Sequence, residues 1–585
     1  MHTLLIILPI LFAGIILVNK TATKNLVAIF FVAVLALASL VSYFSFESPY
    51  VADLPHFSHS LFIFVDIVLL LYFLVQGIVK THSVVTLLSL AQLVLYGVLL
   101  SLSQTISSSD ILIDKLSIMM YLIINMVGGI IIIYSLKYIQ SEELSEFKKR
   151  SFIALEFFFL AVMNFLVSTN NIEIFFMLFE FTTLCSYLLI GYRSDAIATS
   201  NALKALWMNQ IGGVVILLAL ILSSLHYDTI HFDLLIANIE DIYLIPIALL
   251  GVAAFVKGAS IPFESWLLGA MVAPTPVSAM LHSATMVKIA PFLMLKLAPA
   301  MSEFVSLSIT LFGTFVFFTA SLMALSKDYF KEILGLSTIA LLALMMAMAS
   351  IGTAEAIEAC LVLMVFHAIS KALLFLQAGI LEKSFHLKYM KDIDGLIDKS
   401  PLVVFFIVIG FASLTLPPFG AFIAKFMAIE SISELIALNP LYAISLLFIA
   451  LGSVFLTLLY FKVLTKLFAK DIDTKESSKI IISKYYSYTS FALVALLVLG
   501  IFVSYKMQLL NSFEIFIPTL LILTTLILFA STFFKKAHRV KEYYCGEKER
   551  LSVNMYYFNI PESFIKTVHL VSVLFLIVLV LGVLL

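Results

Sequence analysis

The sequence has 585 residues, of which 62% are hydrophobic and 12% are charged, and its formal net charge is −1. Soluble globular domains are about 45–50% apolar and about 25% charged, so the composition excludes a soluble globular protein. The balanced charge excludes the strongly basic surface of a nucleic-acid-binding protein, and we expect no nucleic-acid partner.

Apolar runs follow one another from end to end, and most have the 17–25 or so residues needed to cross a hydrocarbon core of about 30 Å. They are continuous rather than alternating, which predicts helices and excludes a β-barrel. The first run, Leu4 to Val18, lacks a basic leader and a small-residue cleavage site, so we expect a retained helix and no signal peptide. Since some runs are halves of interrupted spans, we predict an all-α polytopic membrane protein with about 16–18 transmembrane helices. The runs lie near residues 3–18, 25–45, 60–79, 82–103, 113–136, 150–169, 173–191, 204–225, 243–257, 273–298, 304–325, 331–350, 355–381, 401–416, 421–437, 441–466, 481–503, 515–534 and 563–585.

Basic residues fall on alternate short loops, which the positive-inside rule assigns to the cytoplasm. These residues are Lys20, Lys24, Lys80, Lys148–Arg150 and Arg193. The intervening loops carry acidic residues, namely Asp53, Asp110, Asp114, Asp228, Asp233, Glu240 and Asp241. The alternation predicts that the N-terminus lies outside. Beyond about residue 260 the orientation stays open, because broken helices make the number of crossings ambiguous.

Two apolar segments are interrupted by helix breakers. The first interruption runs from Lys257-Gly-Ala-Ser-Ile-Pro262 to Ala273-Pro-Thr-Pro276, and the second is Leu416-Pro-Pro-Phe-Gly420, followed by Lys425. Broken helices in corresponding positions of two halves of a transporter mark its ion pathway. The two interruptions therefore predict where an ion could cross.

Ionisable residues lie well inside the apolar runs, and they are Glu180, Lys257, Lys288, Lys371 and Lys425, with His282 and His367 nearby. Each charge at the centre of a spanning helix costs about 2.5–3.5 kcal/mol. Five such charges would cost more than about 10 kcal/mol, comparable to the net stability of a domain. We therefore expect them to face one another, a polar channel or bound water.

Such residues can carry protons. Removal from water favours the neutral form of a lysine, so a buried lysine can exchange a proton near neutral pH, and histidine does so with little adjustment. His367 and Lys371 are four residues apart, on one face of a helix, which suggests two steps of a relay.

Each residue also has a structural interpretation. Lys288 and Lys204 could extend from the apolar region towards a helix end, and His282 could be a packed core residue. Asp66 and Glu156 also lie in apolar runs, and without identifiable partners we interpret them as structural.

The cysteines, Cys185, Cys360 and Cys545, are far apart and form no iron–sulfur, zinc or haem-attachment pattern. We predict no cofactor and no metal in this chain. If the protein is part of a redox machine, the redox centres lie in another chain.

The segment Lys257–Val287, which reads KGASIPFESWLLGAMVAPTPVSAMLHSATMV, resembles the signature of the antiporter-like membrane subunits. These subunits occur in respiratory complex I, in Mrp-type sodium/proton antiporters and in membrane-bound energy-converting nickel–iron hydrogenases. Further matches are Glu180 with Leu184–Tyr192, Lys331 with Leu336–Thr338, His367–Phe375 and Pro417–Lys425, so that the resemblance covers roughly residues 110–470.

The resemblance implies two inverted repeats, each with a broken helix and half of a proton path. Residues 1–110 would then be N-terminal helices with an extra helical pair, 111–300 and 301–470 the two antiporter-like halves, and 471–585 accessory helices. Glu180 and Lys257 match the glutamate–lysine pair of the first half. Other residues match members of a polar axis that runs through the membrane plane, namely Lys204, Lys331, His367, Lys371 and Lys425. Together with Glu180, Lys257, His282 and Lys288, they make up the predicted proton path.

The sequence departs from the family pattern at several positions. Ser260 and Glu264 stand where the family often has Gln and His, and Leu268-Gly269 replaces the usual Pro-Asp. An extra helical pair near 60–103 precedes Asp114-Lys-Leu-Ser. The hydrogenase branch is most similar at three places, namely Lys288, the run that ends at Glu430 and the tail motif Cys545-Gly-Glu.

The leading hypothesis is a proton-translocating subunit of a redox-driven pump, of the hydrogenase type, with a complex I subunit as the near alternative. Its implied partners are other membrane subunits, the lipid bilayer and a redox-active peripheral arm with iron–sulfur and, in the hydrogenase branch, nickel–iron centres. A stand-alone sodium/proton antiporter subunit would use the same lysines, so proton and sodium stay open. A structural scaffold is the third reading. We expect the protein in a prokaryotic cytoplasmic membrane.

Overall fold

The computed structural model describes residues 3–19, 24–102, 106–238, 244–416, 419–468, 482–506, 520 and 559–584. Within these residues, 14 helices are long and apolar enough to cross a membrane, and two shorter apolar helices accompany them. The predicted all-α polytopic membrane fold is therefore confirmed. Several sequence features fall outside the described residues: Pro417–Pro418, Cys545 with its tail motif, and nearly all of the predicted run near 515–534.

The helices follow the apolar runs closely, because a backbone in lipid must satisfy its own hydrogen bonds. In the first part of the chain they are α1 Leu4–Val18, α2 Lys24–Phe44, α3 His56–Val79, α4 Ser83–Ser101, α5 Lys115–Leu122, α6 Gly128–Tyr138, α7 Glu146–Leu166, α8 Ile172–Ile190, α9 Ala196–Tyr227, α10 Phe232–Asn238 and α11 Ile245–Lys257. They continue with α12 Glu264–Gly269, α13 Thr275–Ala279, α14 Ile289–Leu297, α15 Glu303–Ser326, α16 Phe330–Ile351, α17 Ala354–Ser384, α18 Leu396–Lys399, α19 Pro401–Thr415, α20 Gly420–Leu435, α21 Tyr442–Phe468, α22 Lys484–Lys506 and α23 Glu562–Leu581.

One small antiparallel sheet lies among the described residues, between β1 Tyr50–Ala52 and β2 Ile111–Ile113. It ties the loop before α3 to the loop before α5. Together with Asp110, which follows α4, it marks one end of the helical bundle, which we call the Asp110 face. The Asn164 amide near the end of α7 donates to the Leu5 carbonyl, 2.9 Å, so the N-terminal end of α1 lies at this same face. The opposite end carries Glu142 and is called the Glu142 face.

The predicted extra helical pair is present as α3 and α4, and it packs against the helices of the first half. The Tyr187 hydroxyl of α8 donates to Gln76 Oε1 of α3, 3.0 Å. The α4 helix lies along both α3 and α9. The pair therefore lies directly beside the helices that carry Glu180 and Lys204.

The first predicted interruption is also present. Helix α11 ends at Lys257, and the chain resumes helical structure only at α12. After α13, a π-helical turn at Met280–Ala284 and a 3-10 turn at Met286–Lys288 separate it from α14. At the second interruption, α19 ends at Thr415 and α20 begins at Gly420.

The core of the bundle lies where these irregular segments meet α16 and α17. The spans Thr275–Ala300 and Phe330–Ile351 are buried along their whole apolar windows, whereas α3, α4, α21 and α23 bury a third or less of theirs. The outer helices expose Leu, Val and Phe side chains, as lipid-facing helices do. The inverted symmetry of the two halves and the three boundaries between the four predicted segments stay predictions.

Candidate ion-translocation site

Glu180 lies in the middle of α8, fully buried and held by an amide from a neighbouring helix. Gln92 of α4 donates through Nε2 to Glu180 Oε1, 2.9 Å. Gln210 of α9 completes the arrangement by donating to Ser89 of α4, 2.8 Å. Glu180 Oε2 has no hydrogen-bond partner among the described residues. One carboxylate oxygen is therefore fixed and the other is free to accept a proton.

A glycine makes this packing of Glu180 feasible. A Cβ atom added at Gly213 of α9 would overlap Glu180 Oε1 and Gln92 Nε2. The close approach of the α9 backbone thus leaves the space into which the carboxylate and the amide fit.

Lys257 lies one helix away, at the last residue of α11, and is also fully buried. Its Nζ donates to the Phe179 carbonyl, 3.0 Å, and to Thr183 Oγ1, 2.9 Å, and it lies 3.7 Å from the centre of the Phe179 ring. These three contacts come from the residues that flank Glu180 on α8. Glu180 and Lys257 are therefore neighbours, as predicted, but the lysine is held through the backbone and not by a direct ion pair.

At the centre of the bundle, Lys288 and His367 form a direct contact. Lys288 Nζ lies 2.7 Å from His367 Nδ1, and both side chains are fully buried. His367 Nε2 has no partner among the described residues. The interpretation of Lys288 as a residue that extends to a helix end is wrong, since burial in the core leaves it no route to water.

His282 lies on the π-helical turn, and its ring stands 4.7 Å from that of Phe375 on α17. Neither of its ring nitrogens has a hydrogen-bond partner among the described residues. A satisfied core histidine would have at least one partner. Two unpartnered nitrogens leave the imidazole available for proton exchange.

Lys371 is hydrogen-bonded to α16 and not to His367. Its Nζ donates to the Leu334 carbonyl, 3.0 Å, and to Ser337 Oγ, 2.5 Å. The predicted direct step from His367 to Lys371 is therefore not formed, although both lie on one face of α17. Lys425 of α20 is 4% exposed and has no ion pair within the described segments.

Lys331 and Lys204 lie nearer to the Glu142 face. Lys331, at the start of α16, pairs with Glu382 of α17 at 2.6 Å, and Glu382 also accepts a hydrogen bond from Thr275 Oγ1, 3.1 Å. Lys388 approaches the same carboxylate at 3.6 Å. Lys204, in the third turn of α9, is half-buried.

A second ion-pair cluster, beside the pair of Lys331 and Glu382, joins the two halves. Glu142 accepts from Arg193 at 2.9 Å and pairs with Lys383 of α17 at 2.7 Å. Burial raises the pKa of Glu142, but the hydrogen bonds from Arg193 and Lys383 outweigh it and hold the pKa below its usual value. Sequence reasoning missed Glu142, Arg193 and Glu382 as site residues, because nothing in the local sequence marks the partner of a distant lysine.

The Asp110 face has its own polar cluster. Asp110 accepts hydrogen bonds from the Leu54 main chain, 3.2 Å, and from Asn171 Nδ2, 2.9 Å, and it pairs with His59 at 3.2 Å. Burial raises the pKa of Asp110, but His231 at 3.7 Å, the hydrogen bonds from Asn171 and Leu54, and the nearby His59 outweigh it and lower the pKa to about 2. The cluster fixes the loops that precede α3, α5 and α8.

No group of three or more His, Cys, Asp or Glu residues in the described part of the chain could hold a metal ion. The predicted path consists of nitrogen bases and a single carboxylate, whereas a hard metal cation needs several oxygen ligands.

Two family models match the chain over this region. Residues 169–456 match the transmembrane model of NADH:quinone oxidoreductase and Mrp antiporter subunits, and residues 101–147 match the model for the N-terminus of chain 5 of NADH-ubiquinone oxidoreductase (complex I). Together the two matches cover more than half of the chain and contain every residue of the predicted proton path.

Relatives and a solved structure agree with these matches. The Na(+)/H(+) antiporter subunit A1 of Staphylococcus haemolyticus is 33% identical over 349 residues, which are 56% of this chain and 43% of the relative. Subunit A1 of Staphylococcus aureus is 31% identical over 345 residues, 55% of this chain and 42% of the relative. The matched region thus spans less than half the length of these relatives.

A chain in the structure of the membrane-bound sulfane sulfur reductase, an archaeal respiratory membrane complex, has the same fold. The TM-score is 0.70 at 19% identity, and the alignment covers 87% of this chain and 96% of that one.

The fold and the buried polar residues define an integral membrane protein with a polytopic helical bundle. The chain belongs to the antiporter-like membrane subunit family shared by complex I and the Mrp antiporters.

Proposed function

We propose that this chain moves protons across the membrane, as the ion-conducting subunit of a larger membrane complex. The observation that carries the proposal is the contact between Lys288 and His367, 2.7 Å apart and fully buried between the two halves. A lysine and an imidazole in contact can pass one proton between them, because one donates while the other accepts.

The remaining residues extend this contact in both directions. Glu180 and Lys257 lie in the first half, and Lys371 and Lys425 lie in the second half. Lys288 comes from the first half and His367 from the second. The path therefore runs along the membrane plane, and Lys331, Lys204 and His282 lie beside it.

Sodium translocation is the second candidate, because relatives of this chain are named as Na(+)/H(+) antiporter subunits. A sodium ion needs oxygen ligands, and the central part of the path presents lysine and histidine nitrogens. We therefore propose that the proton crosses here and that any sodium site lies in another subunit or outside the described residues.

The type of complex is a further part of the proposal. The motifs at Lys288, Glu430 and Cys545 favour a hydrogenase-type complex with an iron–sulfur and nickel–iron arm, whereas the antiporter relatives favour an Mrp-type assembly at least as strongly. We propose a location in the cytoplasmic membrane with the N-terminus outside. The subunits that co-purify in mild detergent, analysed by mass spectrometry and for iron and nickel, distinguish the two types.

The test uses the native complex in proteoliposomes, with a fluorescent dye that reports the transmembrane pH gradient. Lys257→Ala should abolish the gradient formed on energisation by a sodium gradient or by an electron donor. Lys137→Ala is the matched control, because Lys137 is an exposed lysine at the end of α6. Full proton movement in Lys257→Ala, with the complex intact, would overturn the proposal.

A further inference from the structure

The proposed path leaves a group of buried polar residues on the extra helical pair unexplained. Asp66 of α3 is 1% exposed, and its Oδ1 has no hydrogen-bond partner among the described residues. Tyr96 of α4 is equally buried and donates its hydroxyl proton to Glu173 Oε1 of α8, 2.9 Å. Two carboxyl groups and a phenol thus lie together in an apolar part of the bundle.

The spacing of these residues lines them up with Glu180. On α8, Glu173 and Glu180 are seven residues apart, which places them on one face about 10 Å apart along the axis. On α4, Tyr96 and Gln92 are four residues apart, and Gln92 is the residue that donates to Glu180. The same two helices therefore hold both the group around Tyr96 and the group around Glu180, one above the other.

Tyr96 makes the group around it suitable for a shared proton. Its hydroxyl donates to Glu173, and Asp66 faces Tyr96 across the α3–α4 hairpin, because Asp66 lies as many residues before the end of α3 as Tyr96 lies after the start of α4. A hydroxyl has a single proton to donate. Tyr96 can hydrogen-bond to both carboxyl groups only when one of them is protonated and donates to the Tyr96 oxygen. The group therefore forms all of its hydrogen bonds only when it holds one additional proton.

One end of the group opens at the Asp110 face. His59, seven residues before Asp66 on α3, has a side chain that is 41% exposed. It pairs with Asp110, which accepts a hydrogen bond from Asn171 Nδ2, and Asn171 Oδ1 accepts one from the Glu173 main chain. Glu173 therefore lies close to a water-exposed polar cluster at this face.

The other end points to Glu180. Asp66 Oδ1 and Glu180 Oε2 are both buried without hydrogen-bond partners among the described residues, and Gln92, one turn before Tyr96 on α4, donates to Glu180 Oε1. Unpartnered buried oxygens are costly, and a transferred proton or a water molecule would satisfy them.

We propose that Glu173, Tyr96 and Asp66 form a proton branch that connects the Asp110 face with Glu180. The extra helical pair supplies two of its three members. The branch rests on the proposed function, because it delivers protons to the path through Glu180 or takes them from it.

The experiment uses the native complex in proteoliposomes and the same pH-sensitive dye. Asp66→Asn and Tyr96→Phe should each lower the initial rate of proton movement by about tenfold or more, because each removes a group that must take up and release a proton. Asp66→Glu keeps the carboxyl group and should restore a large part of the rate, which a merely structural role of Asp66 would not predict.

Glu156→Gln is the matched control. Glu156 of α7 is another fully buried carboxyl group, bonded to Ser135 at 2.8 Å and outside the branch. Tyr134→Phe is the control for the phenol, since the Tyr134 hydroxyl donates to the Leu376 carbonyl, 3.0 Å. Both controls should keep the rate of the unmodified complex. Assembly of every variant is checked by size-exclusion chromatography.

Lys257→Ala, measured in parallel, separates the two proposals. If it abolishes proton movement while Asp66→Asn and Tyr96→Phe leave the rate unchanged, the branch is refuted and the path stands. If Lys257→Ala moves protons at the full rate, the path itself is refuted. Should Asp66→Asn fail to assemble, Tyr96→Phe, which removes one oxygen atom only, decides alone.

Discussion

Two parts of the polar path hold their charges in opposite ways. In the first part, Lys257 lies beside the carboxylate of Glu180, and each is anchored by hydrogen bonds to neighbouring helices. In the second part, which we call the central cluster, Lys288 of the first half meets His367 and Lys371 of the second half, and their nitrogen and oxygen partners among the described residues are one another, a serine and a main-chain carbonyl. No carboxylate in the described segments pairs with any of these three.

This difference indicates which part of the polar path depends on its charges for stability. A buried cation beside an anion is partly neutralised, so removal of either one leaves the other uncompensated. Basic groups buried together without an anion disfavour one another's protonated forms, so removal of one lowers the cost of burying the rest. We expect the packing around Glu180 and Lys257 to depend on their charges and the packing of the central cluster to form in spite of its basic groups.

The largest effect is expected for Lys257→Met. It leaves Glu180 without its neighbouring cation and should lower the free energy of unfolding by about 3 kcal/mol or more. The double variant with Glu180→Gln should recover a large part of that loss. The midpoint of thermal unfolding in detergent measures both, with Lys137→Met as the exposed control. Equal losses in the single and double variants would show that the two residues are not coupled.

Asp110→Asn comes next and tests the loops that support the first half. Because the pKa of Asp110 is lowered to about 2, its contribution is fully present above the unfolded value near 4 and is lost as the pH falls towards 2. The variant should lose about 2 kcal/mol at neutral pH and show a flatter stability profile between about pH 4 and pH 2. An unchanged acid profile would contradict the ionised, hydrogen-bonded carboxylate.

A smaller effect is expected for Gly213→Ala. The added methyl group would push Glu180 and Gln92 apart and should cost about 1 kcal/mol or more. Proton movement should fall with it, because the carboxylate leaves its amide donor. Gly97→Ala is the matched control, since nothing lies within 4 Å of a Cβ atom placed there.

The smallest effect on stability is expected for Lys288→Met. It replaces the basic side chain next to His367 with an apolar side chain of similar length, which can pack against Met345. The unfolding midpoint should stay unchanged or rise, while proton movement is lost. A loss of stability as large as that of Lys257→Met would show that an anion also lies close to Lys288.

The sequence predicts the fold and the ionisable residues well, because apolar length and intramembrane charge are local properties. The break after Lys257, the extra helical pair and the burial of Lys288 and Lys371 follow from them. The hydrogen-bond partners of the ionisable residues cannot be predicted from these local properties. Gln92 lies 88 residues from Glu180, and an uncharged amide in an apolar run gives little signal.

Two further partners are missed for the same reason. The sequence places Lys331 on the predicted path without its partner Glu382, which lies 51 residues away. It leaves Asp66 without an identifiable partner, because no local signal marks the aromatic Tyr96 as its neighbour. Which polar groups meet is decided by helix packing, and helix packing is not a property of any one segment.

The π-helical turn at Met280–Ala284 has a consequence for numbering and alignment. A π turn holds one more residue than an α turn, and it is followed by the non-helical Thr285 and the tighter 3-10 turn at Met286–Lys288, so the helical phase changes between His282 and Lys288. A single helical wheel drawn through Thr275–Leu297 therefore does not give the relative directions of these two side chains. A relative without this turn would need a one-residue gap here, and a single-residue deletion between His282 and Lys288 would rotate the lysine away from His367 while the amino-acid composition of the span stayed almost the same.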